Sequence, residues 1–287
     1  MTIKTVLTSL NGVGADRLRL DVTLAVSRHF DAHIEVLHAR GDPRNAVPIT
    51  VEGMSGALVE EIMTVAERES AERAAAARAT FDSWRRDTGT ALADSPAAGA
   101  GVTAAWIEEM GRDDDLVVRY GRLADLIVES RPAQDVFATE VTVEAAIFDT
   151  GRPVLLVAPE PRQVIGDNVA IFWNASAQAA RAVGAALPLL RRAKRVHVLW
   201  IGDSRGKELA HMSLPGYLSW HGIEAVVSRF QPDARAVGQA LLEEAHRVDA
   251  DLLVMGAYTH SRLRRMVLGG VTKHVLSNAT IPVLMAH

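Results

Sequence analysis

Short apolar runs alternate with stretches of helical spacing along the whole chain. Ile3 to Leu7 is β-branched and apolar, which suits a buried strand of a parallel sheet, and it ends at the turn signal Ser9-Leu10-Asn11-Gly12. From Asp16 to Arg28 the apolar positions Leu18, Val22, Ala25 and Val26 recur as on one face of a helix. Ile34 to Leu37 reads as the next strand and Pro43 to Pro48 as a loop. Val51 to about Arg86 is a long helical excursion, since Ala, Glu and Arg are strong helix formers. Thr88 to Gly101 is small and Gly/Pro/Ala-rich, which predicts a flexible loop. Strands follow at Val102 to Ile107 and Ala124 to Val128, a helix around Val143 to Phe148, and a strand at Val154 to Val157.

The second half repeats this alternation. Strands are predicted at Val169 to Trp173, Val196 to Trp200, Ile223 to Val227, Leu252 to Met255 and Ile281 to Met285. Helices are predicted at Gln178 to Leu190, Lys207 to Trp220 with a break near Pro215-Gly216, Val237 to His246 and Val271 to Leu276. Local sequences recur as well. Ala124-Asp125-Leu126-Ile127-Val128 matches Ala250-Asp251-Leu252-Leu253-Val254, and Arg152-Pro153-Val154-Leu155-Leu156 matches Ile281-Pro282-Val283-Leu284-Met285. Asn11-Gly12 stands in the same place after its strand as Asn174-Ala175. The expectation is an α/β protein of two repeated open parallel-sheet, Rossmann-like domains with right-handed crossovers. The first spans 1–160, with a helical insertion at about 43–100, and the second spans 165–287. Val154 to Val157 and Val283 to Met285 are short terminal strands of a kind that wants a partner.

Composition adds mainly exclusions. The chain of 287 residues has 48% hydrophobic and 23% charged residues and a net charge of −4, which gives no reason to expect a nucleic-acid or acidic-membrane partner. It has no cysteine, so disulfides, thiolate catalysis and Cys-based zinc sites are excluded. No apolar run approaches a bilayer span, and Met1-Thr2-Ile3-Lys4 enters a strand without a signal-peptide region, so the expected location is the cytoplasm.

Candidate chemistry concentrates in ADLLVMGAYTHSRLRRMVLGGVTKHVL, Ala250 to Leu276. A buried strand ends at Gly256, a loop supplies Thr259, His260, Ser261, Arg262, Arg264 and Arg265, and Gly269-Gly270 opens a helix at Val271-Thr272. Glycines let a backbone approach an anion, and free N–H groups at a helix start point at it, so this order forms a phosphate cradle. The same glycines also suit simple turn and helix-start chemistry without a ligand. His260 reads as a solvated loop histidine, and Ser261 lacks a nucleophile-elbow setting. Asp113-Asp114-Asp115 reads as the acidic first turn of a helix rather than a metal site, since consecutive residues do not converge on one ion. Trp106, Trp173 and Trp200 read as core.

These stretches, with VAIFWNASAQAARAV, GRLADLIV, TGRPVLLVAP and the closing IPVLMAH, resemble a tandem member of the universal stress protein family. The resemblance covers nearly the whole chain and implies the adenine nucleotide alpha hydrolase-like fold, with the two repeats forming an intramolecular pseudo-dimer. Nucleotide-binding members carry glycine, two residues, glycine, nine residues, glycine, then Ser or Thr. Gly256 and Gly269 match the first and third glycines; Thr259 replaces the second, and Gly270 replaces the Ser or Thr. Asn174 stands where the family's nucleoside-contacting aspartate ends the first strand. The resemblance thus implies ATP, with magnesium, or another adenine nucleotide, held by Asn174, Ile201, Met255, Gly256, Thr259, His260, Ser261, Arg262, Gly269, Gly270, Val271 and Thr272. In the first repeat Glu129-Ser130-Arg131-Pro132 occupies the equivalent turn, with a carboxylate and a proline where phosphate would need N–H donors, so no nucleotide is expected there. The implied role is a regulatory module without efficient catalysis, acting on an unknown protein partner. The alternative is a nucleotide-free interaction scaffold. Whether two chains associate is left open by the sequence.

Overall fold

A computed structural model describes residues 2–47, 55–96, 99–131, 137–160, 164–201, 213–230, 237–257 and 270–287. The chain packs as two compact units, Lys4–Val128 and Met1–Ile3 with Glu129–His287.

In Lys4–Val128 the elements run β1 (Thr5–Ser9), α1 (Asp16–Arg28), β2 (His33–Arg40), a 3-10 turn (Pro43–Ala46), α2 (Gly56–Thr88), β3 (Ala91–Leu92), β4 (Thr103–Met110), α3 (Asp113–Gly121) and the start of β5 (Leu126–Ser130). The strands are parallel in the order β3-β4-β2-β1-β5. The long helical excursion therefore lies in the connection from β2 to the outer strand β3, and β4 then fills the place between them. Ser55 caps the start of α2 by accepting from the Leu58 N–H, and Gly89 ends it at φ 68°, a left-handed conformation that favours glycine. Ser70, Ala74, Ala77, Phe81 and Trp84 form its buried face, spaced three or four residues apart. The core joins Leu10, Leu20, Leu24, Ile34, Val36 and Ala104 to Ala77, Phe81 and Trp84, with Trp106 packed against it. One expectation is corrected: Thr88 to Gly101 is not all loop, because Ala91 and Leu92 pair with Thr103 and Ala104 as an outer strand.

The second unit holds α4 (Phe137–Asp149), β6 (Val154–Val157), β7 (Asn168–Trp173), α5 (Ala177–Leu190), β8 (Arg195–Ile201), α6 (Leu214–Trp220), β9 (Val226–Phe230), α7 (Val237–Arg247), β10 (Leu252–Gly256), α8 (Gly270–Asn278) and β11 (Val283–Ala286). Its order is β6-β11-β10-β7-β8-β9, parallel except for β6 against β11. The two terminal strands do find each other, Leu284 opposite Leu155. Of the helical region expected over Lys207 to Trp220, residues 207–212 lie outside the described residues, and Pro215-Gly216 stands at the start of α6. Ser213 caps α6 by accepting from the Gly216 N–H and Pro215 sits in the first turn, where its missing N–H costs nothing.

The sequence repeat is a repeat of physical devices. Asp125 accepts from the N–H groups of Lys4 at 2.7 Å and Thr5 at 3.1 Å, and its own N–H donates to Thr5 O. Asp251 accepts from Gly166 at 2.7 Å, Asp167 at 3.1 Å and Asn168 at 2.9 Å, and its N–H donates to Asn168 O. The shared Ala-Asp-Leu thus clamps the entry of β1 to that of β5 and the entry of β7 to that of β10. Likewise Asn11 Oδ1 accepts from Val13 N and Asn174 Oδ1 from Ser176 N, both at 3.2 Å. Each asparagine turns the chain at the exit of its strand, and the next residue takes a left-handed φ, 78° at Gly12 and 57° at Ala175.

Candidate functional site

Open α/β sheets offer a crevice beyond the carboxyl ends of the strands where the strand order reverses. In the Glu129–His287 unit the chain goes from β7 outward to β8 and β9, then returns to β10 on the other side of β7. The reversal lies between β7 and β10, and it brings Asn174, at the exit of β7, to the same sheet edge as Gly256, the last residue of β10.

Between these strands stands the start of α5. Ser176 caps it, its hydroxyl accepting from the Ala179 N–H at 3.1 Å. Gly256 is required by this helix: a Cβ on it would lie 2.4 Å from Ala179 N and 2.6 Å from Gln178 C. The backbone of β10 and that of α5 meet there with no room for a side chain. Asn174 is exposed, and since Oδ1 accepts from Ser176 N, its Nδ2 hydrogens face outward as donors.

The remaining predicted residues divide into four groups. Met255 is 1% exposed and belongs to the core, so its contribution to a ligand is at most its backbone. Gly270 begins α8 with open space where a Cβ would stand, Val271 is half-buried, and Thr272 is 6% exposed. Ile201 ends β8. Thr259, His260, Ser261, Arg262 and Gly269, with Arg264 and Arg265, lie outside the described residues.

The corresponding place in the Lys4–Val128 unit is built differently. Its order reverses between β1 and β5, and the exit of β1 is the Asn11-Gly12 turn. There the backbone of α2 lies directly against the turn, since a Cβ on Gly12 would come within 2.3 Å of Arg73 O. Beneath the turn is a charged pair that sequence reading missed. Asp16 is 3% and Arg19 is 3% exposed, and Arg19 Nη2 donates to Asp16 Oδ1 at 2.9 Å while Nη1 donates to Ser9 Oγ at 3.0 Å. The other Asp16 oxygen accepts from Gly12 N at 2.8 Å. The signal was present as an Asp-Arg pair three apart at a helix start, but Leu18 drew the predicted core face past Arg19. Nearby, His38 is buried with Nδ1 against Leu10 O and its ring stacked on Trp106. Burial pushes the Asp113 carboxyl up, with His38 and Arg73 opposing. Asp113 to Asp115 do form the first turn of α3, and among the described residues no group of three His, Cys, Asp or Glu side chains could hold a metal ion. Trp106 packs on the core as expected, while Trp173 and Trp200 are half-buried.

Among the described residues no helix is long and apolar enough to cross a membrane. The family model for the Universal stress protein family matches residues 222–287. No curated protein matches the chain in sequence. A universal stress protein from Archaeoglobus fulgidus DSM 4304 is similar in structure at 16% identity, covering 99% of this chain and 96% of that one with a TM-score of 0.64. A functionally unknown protein from Pseudomonas aeruginosa PAO1 is similar at 12% identity, covering 99% and 92% with a TM-score of 0.59. The chain is thus similar to the universal stress protein family over residues 222–287 and shares its fold, along nearly all of its length, with a universal stress protein.

Proposed function

We propose that the chain is a cytoplasmic regulatory module that holds one adenine nucleotide, ATP with magnesium, in its second repeat and hydrolyses it slowly or not at all. The observation that carries this reading is the crevice between β7 and β10. The Asn174 donors, the capped start of α5, Gly256 and the start of α8 converge on the edge where such sheets take ligands. A nucleoside hydroxyl or ring nitrogen can accept from Asn174 Nδ2, and Arg262, Arg264 and Arg265 are the side chains suited to pair with phosphate oxygens. Thr259 puts a Cβ where nucleotide-binding relatives have glycine. In Lys4–Val128 the equivalent exit is taken by Arg73 of α2, which supports one site per chain. Residues 1–160 and 165–287 remain the proposed repeats.

A nucleotide-free scaffold is the second reading, and one observation favours it: close packing on α5 already accounts for Gly256 without any ligand. The two separate by heat-denaturing the purified chain and assaying for released adenine nucleotide, followed by calorimetric titration with ATP and magnesium. The first reading expects released nucleotide or a saturable heat, with tighter binding in Thr259→Gly. Neither nucleotide nor heat leaves the scaffold.

A further inference from the structure

The two units end differently at one equivalent strand. In Lys4–Val128 the third long strand, β4, is covered on its outer side by β3. Its counterpart β9 pairs with β8 on one side, and among the described residues no strand covers the other. The uncovered edge is apolar: Val226 is 63% and Val227 40% exposed. α6 leads into it through a tight turn in which the Ile223 N–H donates to Leu218 O, and it exposes Trp220 at 86% and Tyr217 at 43%. An open edge is a row of unpaired N–H and C=O groups that templates another strand, and natural edges are usually blunted by charge, proline or a bulge. Val226-Val227-Ser228-Arg229-Phe230 has a single charge and no proline. Exposed tryptophan and tyrosine are the side chains that anchor interfaces.

We propose that β9 pairs antiparallel with β9 of a second copy of this chain, about a two-fold axis through Ser228. The strand is self-complementary in that register. Val226 falls opposite the second copy's Phe230, Val227 opposite its Arg229 and Ser228 opposite its Ser228, so no like charges stand directly across. Aliphatic and aromatic residues meet on one face of the new pair, and Arg229 lies along Val227 on the other. At the same position β4 takes an added strand, there a parallel one from its own chain; at β9 the self-complementary antiparallel register is what selects a second copy. Five residues a side with a flanking Trp220 make a small interface, below about 1,200 Å², so the dimer is concentration-dependent rather than obligate.

The chain has no cysteine, so a single introduced thiol reports unambiguously. Residues facing each other across an antiparallel pair have Cα atoms about 4.5–5.5 Å apart, within the roughly 4.4–6.8 Å that a disulfide spans. Under mild oxidation Ser228→Cys should convert to a covalent dimer much faster than Glu72→Cys, an exposed control on α2. Sedimentation of the unmodified chain over a concentration series should show reversible dimerisation. The double variant Trp220→Ser, Val227→Lys should raise its dissociation constant roughly tenfold or more with an unchanged melting temperature. A chain monomeric throughout, equal crosslinking of both thiols, or a dimer indifferent to the double variant overturns the proposal.

Discussion

Two glycines that read alike in the sequence do different work. Gly256 and Gly270 both follow apolar runs and both suit a phosphate cradle, yet a Cβ on Gly256 would strike the backbone of α5, while one on Gly270 meets nothing within 4 Å. Gly256→Ala should therefore cost roughly 1–3 kcal/mol through overpacking, and Gly270→Ala should be nearly neutral, as urea unfolding will measure. A bulkier residue at Gly256 would displace α5, so loss of ligand in Gly256→Val would report lost structure as much as a blocked site. His197 makes a second residue-scale case. Neither ring nitrogen has a partner, and burial, with Arg195 and Arg247, holds its pKa below the ordinary histidine value. Burial likewise lowers His33, with Glu35 and Asp94 opposing. Depressed folded values mean that the unfolded chain binds more protons. The stability tied to neutral His197 is present above the unfolded value of about 6.5 and is lost as pH falls through the folded one. His197→Leu should flatten that part of the stability–pH curve; an unchanged slope would remove His197 as its source. None of this was legible in the sequence, because it depends on which backbone and which cation arrive from elsewhere.

Elements were more legible than their partners. The limits Asp16–Arg28 follow from helical spacing and Val154–Val157 from a short apolar run, and α2 from its alanines and charges. β3 was missed because two residues cannot show a period, and it exists only because β4 pairs with it. The face of α2 was hard to read for a related reason: Ser70, Ala74 and Ala77 are small, and only Phe81 and Trp84 announce a core. The helix is unequal along its length. Its first turns expose Leu58 and Val65, at 44% and 40%, whereas Phe81 and Trp84 are fully buried. Amide exchange should be fast over 56–69 and slow over 74–88, since local opening follows the density of buried contacts. Uniform protection along α2 would contradict this packing.

At the scale of the whole chain, the repeat was visible in the sequence and its reason was not. Ala-Asp-Leu recurs because Asp125 and Asp251 each gather the N–H groups that open a strand. Asn-Gly and Asn-Ala recur because each asparagine turns the chain at a strand's exit. On this common frame the two sites diverge: α2 meets the Asn11-Gly12 turn backbone to backbone, while beside Asn174 it is the start of α5 that meets Gly256. The sequence offers the candidate site as a set of glycines and an asparagine after strands, but the contact that sets the first unit's turn apart, Arg73 against Gly12, joins residues far apart in sequence.

The most direct test of a single site per chain is a calorimetric titration of the full-length protein with ATP and magnesium. One site per chain, with affinity raised in Thr259→Gly, is the result this account predicts. Two sites per chain, or none, would contradict it.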